Sequence, residues 1–167
     1  MFEGEFKYLS AYEEGLAGLG LPSFFVYCRE GDTRRLLPEI RDAIKSVRPE
    51  KIFFFGDSDT ATNLQFSASA LFLTQTVRPL EVYLPRLSIA GPKGFDELKS
   101  QHNSAFASEL DRLISSAYRV DPDISYLLLH RDLIAIAQDD FKLLVPALAS
   151  KHKERLLKLC AQARLQK

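Results

Sequence analysis

The junction at residues 51–63 constrains this chain more than any other feature. Lys51-Ile-Phe-Phe-Phe55 is an apolar, aromatic run of strand length; it stops at Gly56 and is followed by Asp57-Ser58-Asp59. From about Asn63 to Gln75, Leu64, Ala68, Leu71 and Phe72 then recur at helical spacing. A strand that is apolar along its whole length is buried on both faces, which points to a parallel sheet covered by helices.

The flanking segments alternate in the same way. Phe6, Leu9, Tyr12 and Leu16 follow at steps of three and four, predicting a helix over residues 4–18, ended by Gly18 and Gly20. Pro22-Ser-Phe-Phe-Val-Tyr-Cys28, short and aromatic between Gly20 and Gly31, reads as a buried strand. Asp32 or Thr33 is placed to cap a helix whose stripe is Leu36, Leu37, Ile40, Ala43, Ile44 and Val47, closed at Arg48-Pro49. Leu80-Glu-Val-Tyr-Leu84 is a further strand, and from about Asp96 onward nothing reads as one. The expectation is therefore an α/β core with a mostly parallel sheet of about four strands over residues 1–120. A helical C-terminal appendage over 121–167 follows the break at Asp121-Pro122.

Composition narrows the class. A 167-residue chain that is 46% hydrophobic and 26% charged has the profile of an ordinary folded domain. Cys28 and Cys160 form neither a disulfide framework nor a zinc pattern, and the N-terminus has no signal or transit character. The apolar runs are far shorter than the ~18–20 residues of a membrane helix. The expected setting is a reducing cytoplasm, away from membranes. His102, His130 and His152 show no ligand spacing and read as surface or helix-packing residues.

Lysine plus arginine equals aspartate plus glutamate at 22 each, so there is no global basic field for nucleic acid. The balance is uneven along the chain. Residues 142–167 carry seven basic side chains against Glu154 alone, a surplus of six that the preceding residues offset with acids. Lys151, Arg155 and Lys158 fall at helical spacing opposite Leu156, Leu157 and Cys160, either as a phosphate-contacting stripe or as a solvated helix face.

Asp57 and Asp59 lie where a strand stops and a helix is about to begin, and ligands of parallel sheets bind at the carboxyl ends of strands. In an extended segment alternate residues point the same way, so both carboxylates can reach one hard cation; without a cation or proton between them they repel. The competing reading has Asp59, Thr60 or Thr62 capping the next helix and Asp57 as a solvated strand end. The chain's opening repeats the pattern. Phe2-Glu3-Gly4-Glu5-Phe6-Lys7 looks like a strand end turning through glycine into a helix, 54 residues before Asp57.

A Glu-Gly turn followed by a strand ending in Asp-x-Asp resembles the Toprim domain of topoisomerases and primases. It is closest to a branch attached to plasmid- and phage-type primase and helicase proteins. Three pieces carry the resemblance in order: Glu3 to Lys7, Asp57-Ser-Asp-Thr-Ala-Thr-Asn63, and Lys93-Gly-Phe-Asp-Glu97. The resemblance implies a Rossmannoid fold, Glu3 as general acid or base, and Asp57 and Asp59 holding Mg²⁺ or Mn²⁺. Glu5, Lys7, Asn63, Lys93 and Asp96 are accessory positions. Asp96 or Glu97 would complete a metal shell and Lys93 would meet a phosphate, or the same segment is a turn followed by an N-cap. Only Met1 and Phe2 precede Glu3, whereas a strand usually needs about five residues, so the first strand is expected to be cut short.

The implied activity is nucleotidyl transfer or phosphodiester cleavage on DNA or RNA in replication of a mobile element. The alternative is a non-catalytic scaffold docking to a replication helicase or primase. Oligomeric state is left open. A remote alternative is a haloacid-dehalogenase-type phosphatase with Asp57 as nucleophile, although Ala61 stands where that motif wants threonine or valine. Arg29-Glu30-Gly31-Asp32 offers a second Glu-Gly turn, too close to Asp57 for the Toprim interval.

Overall fold

The computed structural model describes residues 1–87 and 91–136. Within them the chain is a mixed α/β protein with six α-helices and small sheets. Strand β1 (Phe2–Glu3) turns at Gly4, φ 97°, into helix α1 (Glu5–Glu13), and the chain returns through β2 (Gly20–Leu21), parallel to β1. A positive φ at this turn suits glycine, which carries no Cβ to clash.

The next segment departs from expectation. Residues 22–26 form no strand; the chain enters an antiparallel hairpin, β3 (Tyr27–Glu30) and β4 (Thr33–Leu36), turning at Gly31, φ 59°. Asp32 and Thr33 therefore belong to the hairpin and cap no helix. Helix α2 (Pro38–Val47) starts after Leu37 with proline in its first turn, buries Ile40, and ends at a left-handed Arg48 before Pro49.

Strand β5 (Lys51–Phe53) pairs in parallel with β6 (Glu81–Leu84), and β6 pairs antiparallel with β7 (Tyr118–Arg119), a strand in the region read from sequence as helical throughout. Just past β5, Phe54 donates its N–H to Tyr83 and Phe55 donates to Met1, while Met1 and Glu3 donate to Phe53 and Phe55. A parallel bridge thus joins Phe2 to Phe55.

Helix α3 (Leu64–Thr76) follows a 3-10 turn (Ser58–Thr62), helices α4 (Phe95–His102) and α5 (Phe106–Ser115) precede β7, and α6 (Tyr126–Ile136) follows it. Ile52, Phe54, Phe66, Leu73, Val82 and Leu84 form one buried cluster that also takes in Leu129 and Leu133 of α6. The break at Asp121-Pro122 therefore falls inside one packed core, and α6 belongs to it. A second cluster gathers Phe2, Phe55, Phe95 and Phe106, with Phe2 and Phe55 stacked at 4.7 Å and Phe95 edge-on to both. No helix among the described residues is long and apolar enough to cross a membrane. The basic stretch with Lys151, Arg155 and Lys158, and Cys160, lie outside the described residues.

Helix α1 forms but stops at Glu13, short of the expected Gly18, and its apolar stripe is mostly exposed. Phe6, Leu9 and Tyr12 are 80%, 52% and 65% exposed, and the buried residue of the helix is Ala11. The turn after Gly4 orients α1 so that Tyr8 packs toward Gly18 and Gly20, with Tyr8 Cβ 2.9 Å from where a Gly20 Cβ would stand.

Candidate acidic site

The site forms where β1 and the end of the β5 segment run side by side. Their hydrogen bonds fix Glu3 beside Phe55, so the acids that follow, Glu3 at once and Asp57 two residues later, emerge at the same end. Apolar packing sets this register: stacking Phe2 on Phe55 over Phe95 seals the underside of the site. The third motif is tied in by its backbone. The N–H of Ser58 donates to the carbonyl of Lys93 at 2.8 Å, bringing Lys93–Glu97 against the acidic loop.

Glu3, Lys7, Asp57, Gly94 and Asp96 therefore converge, although 93 residues separate the outermost pair in sequence. Lys7 Nζ pairs with Asp57 Oδ1, both side chains being mostly buried. A Cβ at Gly94 would lie 2.6 Å from Lys7 Cε and 2.7 Å from Asp96 Oδ1, so the absence of a side chain there gives the lysine stem room. Sequence reasoning ranked Lys7 as accessory and gave Gly94 no role; the Lys-Gly dipeptide inside the third motif was the available signal.

The Glu3 carboxyl is pushed up from its ordinary pKa, first by burial and next by the negative charge of Asp57; Lys7 and a hydrogen bond from the Asp57 backbone act the other way, and Asp59 adds a weaker upward push. Its Oε2 is buried without a hydrogen-bond partner. A buried, unpartnered carboxylate oxygen is costly when charged, so this group is poised to hold a proton.

The other predicted residues divide. Asp57 is itself extended, but the run ends there: it caps the 3-10 turn that starts at Ser58, its carbonyl accepting from the Thr60 N–H and hydroxyl, at 3.0 and 2.7 Å. Asp59 thus lies within the turn, exposed, and the side-by-side placement expected from strand alternation is not formed. Asn63 is an N-cap, its Oδ1 accepting from the N–H groups of Gln65 and Phe66 at 3.0 and 3.4 Å. Glu97 accepts from the Lys93 N–H at 2.8 Å at the start of α4, which fits the capping alternative for that residue. Glu5 and Asp96 are exposed.

These positions do not fit a divalent ion as they stand. Among the described residues no three histidine, cysteine, aspartate or glutamate side chains gather as metal ligands. The Asp57 carboxylate already holds the Lys7 ammonium. Compared with known proteins, the chain matches no family model, no curated protein and no solved structure.

Proposed function

We propose that this chain is a Toprim-like module that processes nucleic acid, working at the acidic site where β1 and the β5 segment end. One observation carries the reading: three short motifs, each weak in sequence, converge on one acidic site at the carboxyl ends of two neighbouring parallel strands. The parallel pairs β1 with β2 and β5 with β6, bridged at Phe2 and Phe55, support a single Rossmannoid sheet in the order β2-β1-β5-β6, with β7 as an antiparallel edge. In this reading Glu3 carries the proton that moves to or from the attacking or leaving oxygen of a phosphodiester. Its raised pKa and buried Oε2 support that role. The Mg²⁺ or Mn²⁺ that the resemblance implies does not fit Asp57 and Asp59 as they stand, and no step of this reading is routed through it.

The test incubates the whole chain with labelled single-stranded DNA or RNA and nucleoside triphosphates, with and without Mn²⁺. Cleavage or extension by the wild type is expected, with Glu3→Gln lowering the rate by about 100-fold or more without lowering the melting temperature. The Lys7–Asp57 ion pair favours a second reading, a non-catalytic scaffold that docks to a replication helicase or primase. A wild type that processes neither substrate under any condition would overturn the catalytic reading in favour of that one.

A further inference from the structure

The disagreement between this site and a divalent ion centres on one residue. Lys7 lies in the first turn of α1, four residues after Glu3. Its stem passes between two glycine turns: a Cβ at Gly4 would stand 3.6 Å from Lys7 Cδ, and one at Gly94 would stand 2.6 Å from Cε. The ammonium ends on Asp57, beside the Glu3 carboxyl whose ionisation it favours. Only 20% of the Lys7 side chain and 14% of the Asp57 side chain remain exposed. A lysine on a solvated helix face would wander among rotamers at little cost; this one is confined by packing on two sides and ends on a largely buried carboxylate.

We propose that Lys7 is the resident cation of this acidic site and that its ammonium and a divalent ion compete for the same Asp57 carboxylate. A mostly buried carboxylate such as that of Asp57 needs a positive partner, and the chain supplies one itself. Metal entry then requires the ammonium to leave Asp57. Once displaced, it is a positive charge freed beside the acids, able to meet a phosphate. The identification of the ligand as nucleic-acid phosphate rests on the function proposed above; the competition itself does not.

The experiment uses Mn²⁺ alone as the probe, measured on the whole chain by titration calorimetry and thermal melting. Lys7→Met keeps the length of the stem and removes the charge; Lys7→Gln, which keeps a polar end, serves if the methionine variant folds poorly. Removing the competitor should tighten Mn²⁺ binding by about tenfold or more, and adding Asp57→Asn to Lys7→Met should abolish the gain. Without metal the lysine variants should melt below the wild type, with Mn²⁺ closing the gap. Mn²⁺ binding that is unchanged or weaker in both lysine variants, or absent from every variant, overturns the proposal. Tighter binding in a chain that processes no nucleic acid leaves the competition standing and removes the catalytic reading instead.

Discussion

Helices α1 and α3 each follow a strand and its acids, α3 after an intervening 3-10 turn, and they treat their side chains in opposite ways. α1 exposes Phe6, Leu9 and Tyr12, whereas α3 buries Ser67 and Ser69 completely and Thr74 almost so. The difference is one of depth. α3 is enclosed by β6 and α6, and Phe24 and Tyr27, before and within the hairpin, pack on its Phe66 and Phe72. Among the described residues α1 is covered by β1, β2 and α4 and leaves its other face open. A buried helix needs small residues where neighbours approach closely. It tolerates hydroxyls that bond locally, as Thr74 does to the Ala70 carbonyl at 2.8 Å. Apolar periodicity reports which face of a helix could be covered; the number of layers around it decides which face is.

The largest test of this contrast is a truncation in α3. Leu73 is fully buried in the main core, so Leu73→Ala should lower the unfolding free energy by about 3 kcal/mol through lost burial and the cavity left behind. Urea denaturation monitored by circular dichroism measures it. A loss under about 1 kcal/mol, the level of a typical exposed change, would mean that α3 is far less enclosed than its exposure states.

The contact between α3 and α6 should make stability depend on pH. His130 Nδ1 lies 3.1 Å from Ser67 Oγ, the ring is 1% exposed, and burial lowers its pKa to about 4. An unfolded histidine takes up its proton near pH 6.5. The folded state resists protonation, so the stability tied to the neutral ring is fully present above about pH 6.5. It is lost as pH falls toward 4, by roughly 3 kcal/mol at most. Denaturation curves taken between pH 7 and pH 4 should show this decline in the wild type and a flatter one in His130→Leu. Equal slopes in the two proteins would remove His130 as the cause.

The same contrast explains what the amino-acid sequence revealed. The Lys51–Phe55 run and the Glu3-Gly4 turn were legible because each is local: β-propensity, and a residue free to take positive φ. The cap of α3 was not: Asp59, Thr60 and Thr62 offered the same chemistry, and the 3-10 turn moved the helix start to Asn63. The segment around Val26 failed for another reason. Val26 is fully buried and Phe24 packs against the main core, yet neither belongs to a strand, since an apolar run records burial and not hydrogen bonding. β7 is two residues long and owes its existence to β6, which no local pattern announces. At the site, the acids were legible as chemistry, but the 3-10 turn after Asp57 broke the alternation that would have aligned Asp59 with it. The partner of Asp57 is a lysine 50 residues earlier, a long-range contact invisible to motif spacing.

The smallest expected effect lies on α1 and sharpens the contrast most. Phe6 is the most exposed large apolar side chain among the described residues, so replacing it removes little buried area and should change stability by no more than about 0.5 kcal/mol. Serine has a helix propensity close to that of phenylalanine, which leaves packing as the variable under test. Phe6→Ser and Tyr12→Ser should therefore unfold at the wild-type urea midpoint, while Leu73→Ala shifts it well down. Both aromatic positions belong in the comparison, because a face touched at one end only would betray itself in one variant and not the other. A loss above about 1.5 kcal/mol in either variant, beyond what an exposed site allows, would show that some further part of the folded chain covers the open face of α1. The rule drawn from the two helices would then fail at α1, where the periodicity would have identified the covered face after all.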